Sequence, residues 1–148
     1  MANLTASRSL SISQLAGSSI LTGDATNAVT FYRGGFVFLS TSTGYIVKAA
    51  DTANYIWRGI VGREMTGSTS TTPNDVEIIT GPCILNDYAV TGASAVTNQG
   101  TLVYATDDQT LTTSATSNTK AVGEIVKWKT GTTCDVLLYA PEASRALN

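Results

Sequence analysis

The stretch AVGEIVKWKTGTTCDVLLYA, residues 121–140, decides how the rest of the chain is read. Two runs rich in Val, Ile, Leu and aromatic residues flank Thr130-Gly131. Gly reaches positive φ at no steric cost, so this pair favours a tight reversal. The segment therefore predicts a β-hairpin, with strands over 121–129 and 133–139. Alternation places Val122, Glu124, Val126 and Trp128 on one face and Ile125, Lys127 and Lys129 on the other. It assigns Trp128 to the core side. In the return strand Val136 and Leu138 alternate with Leu137 and Tyr139, so both faces are apolar. That pattern predicts cover on two sides, one from the core and one from a neighbouring subunit.

The same grammar extends outward. The chain holds 24 Thr and 14 Ser, and Thr is β-branched and suits a pleated surface. The 13 Gly fall mostly between apolar runs. Further strands are predicted over 29–32, 36–40, 45–49, 55–63, 76–79, 83–85, 102–105 and 110–113. Gly59 and Gly62 lie inside one of them, where Gly marks a bulge or bend. The run TGSTSTTPN, 66–74, has loop composition. The best helical candidate is 11–21, where Ile12, Leu15, Ile20 and Leu21 are imperfectly spaced. The fold class that follows is all-β: a small barrel or sandwich-like domain.

Three parts are expected: an extended amino-terminal arm over 1–27, a β-rich domain over 28–142, and an exposed tail over 143–148. The arm has six Ser and no aromatic residue. Its spaced aliphatics Leu10, Ile12, Leu15, Ile20 and Leu21 exceed what disordered tails carry. They predict an arm that orders by pairing with a partner's sheet edge.

Composition narrows the function. At 148 residues the chain is about one domain. A net charge of -2 provides no basic excess for a phosphate backbone, so no nucleic-acid partner is expected. No apolar run is long enough to span a bilayer, and no targeting segment is visible, so a protein made and kept in the cytosol is expected. There is no His, which removes the commonest general base and zinc ligand. Cys83 and Cys134 lack C-x-x-C spacing and sit among apolar neighbours, as reduced core thiols do. The carboxylates Glu64, Asp75, Glu77, Asp107, Asp108 and Glu124 could in principle supply a glycosidase pair, but neighbours along a strand point to opposite faces. Asp107-Asp108 reads as a turn, because Asp bonds the backbone just ahead of it. Arg58 and Arg63 read as a solvated strand face. Trp57 and Trp128 read as core or interface anchors. No catalytic residue, cofactor, metal or small-molecule substrate is expected.

The order of motifs carries a resemblance. The run YRGGFVFLSTSTGYIVKAADTANYIWRGIVGRE, residues 32–64, resembles capsid decoration (cement) proteins of tailed bacteriophages. GTLVYATDDQTLTTSATSNTKAVGEIVKW, residues 100–128, and then TCDVLLYAPE, residues 133–142, are similar to their carboxy-terminal half. The resemblance spans about residues 28 to 142 and leaves the arm uncovered. It implies a β-tulip-type domain on the outer capsid surface of a virion. It further implies a homotrimer that braces neighbouring copies of the major capsid protein, often through an amino-terminal arm. The partner-contact residues expected on that basis are Leu10, Ile12, Leu15, Ile20 and Leu21, followed by Arg33, Tyr55, Trp57 and Arg58. The competing readings are another phage structural module, of tail, neck or fibre, and a carbohydrate-binding β-sandwich.

Overall fold

A computed structural model describes residues 3–26, 28–67, 74–114, 117–118 and 120–146. The expected loop over 66–74 lies largely outside them. The strands are β1 (Ile12–Gln14), β2 (Ile20–Asp24), β3 (Thr30–Phe31), β4 (Phe36–Ser40), β5 (Ile46–Lys48), β6 (Tyr55–Val61), β7 (Met65–Thr66), β8 (Asp75–Ile79), β9 (Cys83–Thr91), β10 (Leu102–Ala105), β11 (Leu111–Thr112), β12 (Gly123–Thr130) and β13 (Thr133–Leu138). A short helix, α1 (Pro141–Ala146), follows. The all-β reading holds. No helix among the described residues is long and apolar enough to cross a membrane.

The 121–140 hairpin forms as β12 and β13, and it helps close a barrel. β13 pairs with β9, β9 with β11, β11 with β10, and β10 with β12, so five strands return on themselves. A second sheet runs β2-β8-β6-β4-β5, and a parallel bridge from Ala25 to Ile46 ties the chain after β2 back to β5. β3 and β7 form a separate ribbon. The central strands of the second sheet, β4 and β6, feed a core on each face. Phe36, Phe38, Trp57 and Ile60 join the barrel interior of Leu85, Val103, Leu111, Ile125 and Val136. Val37, Val61, Val76 and Ile78 join Phe31 in a second core on the other face.

The strands obey the period of two only between bulges. Ile125 and Trp128 are three apart, yet Ile125 is buried and Trp128 packs on the same core. A register shift between Ile125 and Lys127 inserts Val126 as an extra residue and flips the alternation. Ile125 therefore faces inward and Val126 is 40% exposed, opposite to the regular alternation. Trp128 lies on the core side, as expected. Trp57 and Ile60 repeat the device. Val37 pairs with Gly59 and Phe38 with Trp57, which leaves Arg58 as the extra residue. Gly59 sits at φ +146, and a Cβ there would lie 2.3 Å from the Ile79 carbonyl oxygen. The strand expected to end at Leu85 continues to Thr91 because a third bulge, with Asp87 at φ 53, carries it past Asn86.

Both termini depart from expectation. The 11–21 segment is not helical, because its aliphatics serve two short strands on different sheets. β1 pairs with β9 and β2 with β8, so the arm belongs to its own chain's sheets rather than standing free. The expected exposed tail begins in α1, where Pro141 and Ser144 are buried. The Ser144 hydroxyl donates to the Ala121 carbonyl at 2.5 Å and fastens the helix to the start of the hairpin.

Candidate functional site: the amino-terminal limb and the bend that anchors it

Asp107 and Asp108 lie in the bend between β10 and β11, and both are buried, at 5% and 2% exposure. The turn reading holds: the Gln109 N–H donates to Asp107 Oδ1 at 2.9 Å, a local Asx turn. The sequence did not show what the bend grips. The Leu4 N–H donates to Asp108 Oδ1 at 2.7 Å, and the Phe36 N–H donates to the Asp108 carbonyl at 2.9 Å. Lys48 Nζ lies 3.9 Å from Asp108 Oδ2 and 5.4 Å from the Tyr32 ring centroid. Burial raises the Asp108 carboxyl above the usual carboxylate range, and the Leu4 bond and the Lys48 charge only partly offset it.

Arg8 completes the anchor. Its Nε donates to the Gly34 carbonyl at 2.9 Å, and its guanidinium lies 5.3 Å from the Phe36 ring centroid and 5.2 Å from that of Tyr88. Tyr88 in turn donates its hydroxyl to the Gln109 carbonyl. Burial raises the Tyr88 phenol, and Arg8 opposes that rise. Arg8 Nη2 and Asp107 Oδ2 are buried without a hydrogen-bond partner. The bend is thus a polar clamp on residues 3–8, made of charges that only the fold brings together.

The expected contact residues divide into three groups. Leu15, Ile20 and Leu21 are 40%, 61% and 41% exposed; as neighbours in β2, Ile20 and Leu21 point to opposite faces of the strand. Leu21 and Arg58 also line a groove of about 410 Å³, whose far wall is Ala140, Pro141 and Glu142. Leu10, Ile12 and Arg33 share a smaller hollow of about 220 Å³, and Leu10 and Ile12 pack on the main core of their own chain. Arg33 is exposed and Tyr55 is half-buried. Trp57 must be withdrawn as a contact residue. It is fully buried, and its Nε1 donates to the Tyr139 carbonyl at 2.8 Å. The bulge that turns it inward is the reason. No sequence rule placed Arg8, Lys48 and Tyr88 beside the aspartates, or Pro141 and Glu142 beside the limb.

Both thiols are free and buried, and burial pushes the Cys83 thiol up to about 11, away from nucleophilic use. The chain carries one S-x-x-K spacing, Ser117 to Lys120, a pattern used by some hydrolases. The Ser117 and Asn118 N–H groups donate to Asp51 Oδ1, and neither Ser117 nor Lys120 is in a helix. Among the described residues no group of three or more His, Cys, Asp or Glu could hold a metal ion. No protein-family model matches this chain, and no curated protein or solved structure matches it.

Proposed function

We propose that the protein is a non-enzymatic virion component that binds the outer surface of a capsid and cements neighbouring major capsid proteins as a homotrimer. The reading starts from the resemblance of residues 32–64, 100–128 and 133–142 to phage decoration proteins. The observation that carries it furthest is the exposure of Leu15, Ile20 and Leu21 along one limb of a chain with only 14% charged residues. Large aliphatic side chains left exposed within one short segment gain most by burial against a partner. Because β1 and β2 are already paired within the chain, the limb acts as a preformed docking element and not as a free arm seeking a strand. Preformed surfaces bind without an ordering cost.

The test is co-sedimentation with capsids of the virus that encodes the protein, combined with image reconstruction of its virions. Wild type should pellet with capsids and occupy three-fold positions. Ile20→Asp together with Leu21→Asp should lose at least about tenfold in affinity, since each removes exposed apolar area and adds charge at an interface core. Circular dichroism and melting temperature should stay unchanged. Undiminished binding by the double variant would overturn the role given to the limb. Virions that lack the protein would overturn the cement function.

A further inference from the structure

We propose that Lys48 and Asp108 are the two ends of an intramolecular isopeptide bond, formed autocatalytically with Asp107 as proton acceptor. The ion-pair separation of 3.9 Å between Lys48 Nζ and Asp108 Oδ2 describes the reactant pair before condensation. Three features distinguish this pair from a surface ion pair, such as that of Lys129 with Asp87, whose carboxylate side chain is 63% exposed.

The first is burial. The Asp108 side chain is 2% exposed and that of Lys48 is 20% exposed. Burial favours the neutral carboxylic acid of Asp108, the reactive form of that group. The raised Asp108 carboxyl agrees with this. The second is that the two carboxyl oxygens are treated differently. Oδ1 accepts the Leu4 N–H at 2.7 Å, while Oδ2 faces the lysine. A donor on Oδ1 polarises the carbonyl and stabilises negative charge developing there, as an oxyanion hole does, and leaves Oδ2 as the departing oxygen. The third is a spare base. Asp107 Oδ2 is buried with no hydrogen-bond partner, on the residue adjacent to the electrophile. A strand would send the two carboxylates to opposite faces, but the bend buries both.

The Lys48 ammonium transfers one proton to the Asp107 carboxylate. The freed Nζ lone pair adds to Cγ of protonated Asp108. The Cγ–Oδ2 bond breaks, Oδ2 leaves as water with a second proton from Nζ, and an Nζ–Cγ amide remains. Asp107 then releases its proton to solvent. No oxidant, metal or co-reactant is needed. The product would tie β5 covalently to the bend after β10 and so join the second sheet to the barrel across 59 intervening residues. The inference stands apart from the capsid reading and does not depend on it.

Intact-mass measurement on the folded wild-type protein, denatured just before analysis, tests it. The expected mass is about 18 Da below that of the sequence, one water lost. Trypsin should fail to cut after Lys48, and residues 34–58 should appear joined to residues 64–120. Lys48→Met should restore the full mass. Asp107→Asn should slow bond formation at least about tenfold, as expected for loss of a positioned base. The wild-type result is decisive even if a variant fails to fold. A full sequence mass with normal cleavage after Lys48 would overturn the proposal and leave an ordinary partly buried ion pair. Bond formation at the wild-type rate in Asp107→Asn would overturn the role given to Asp107.

Discussion

Trp57→Phe separates a core residue from a contact residue. The indole is fully buried, with ring centroids 6.1 Å from Phe36 and 6.0 Å from Phe38, and its Nε1–H is bonded to the Tyr139 carbonyl just ahead of α1. A phenyl ring keeps the aromatic contacts and loses two things. It is roughly 40 Å³ smaller, which at about 24 cal/mol per Å³ of cavity costs about 1 kcal/mol. It also leaves the Tyr139 carbonyl without its donor, worth about 1–3 kcal/mol. The sum is about 2–4 kcal/mol. With a urea m-value of about 2 kcal/mol/M the midpoint should fall by about 1–2 M. Equilibrium denaturation followed by far-UV circular dichroism reads this directly, and Trp128 fluorescence gives a second probe. Under the proposed cement function, capsid binding by the folded fraction should be unchanged. A midpoint within about 0.3 M of wild type would refute the packing argument, and normal stability with lost capsid binding would return Trp57 to the interface.

Gly59→Ala should destabilise by about 3 kcal/mol or more, because the new Cβ meets the Ile79 backbone oxygen at 2.3 Å and φ +146 is closed to side chains; a thermal melt within 2–3 °C of wild type would contradict the bulge. Cys83 and Cys134 should resist a thiol reagent in the native protein and react fully in denaturant, since both are at most 1% exposed. The Cys83 thiol is held at about 11 when folded, against 9.0 otherwise, so above pH 9 only the unfolded chain ionises. Stability should therefore fall between pH 9 and pH 11 by an amount on the order of 2–3 kcal/mol from this group, and Cys83→Ala should flatten that slope in pH-dependent urea titrations. Ser144→Ala should loosen α1, seen as faster amide exchange over 141–146, because it removes the hydroxyl bond to the Ala121 carbonyl.

What the sequence settled by itself was the type of structure. Thr-rich runs punctuated by Gly specify strands and turns, since β-branched side chains and positive-φ residues act locally. For that reason the hairpin at Thr130-Gly131, the strands Phe36–Ser40 and Leu102–Ala105, and the turn at Asp107-Asp108 could all be read directly. Burial of the two cysteines followed from their neighbours. Which side of a strand faces the core was settled only in three dimensions. At Val126, Arg58 and Asp87 one extra residue flips the alternation, and a bulge is fixed by the partner strand's register rather than by local composition. That is why Ile125 and Trp57 are core residues and Val126 is not. The amino-terminal limb was ambiguous for a related reason: strands of three and five residues carry too few alternations to reveal a period, and only the open edges of β9 and β8 make them strands. The clamp of Arg8, Lys48 and Asp108 draws on positions up to 100 residues apart in the chain, and charges converge at that distance only through the fold.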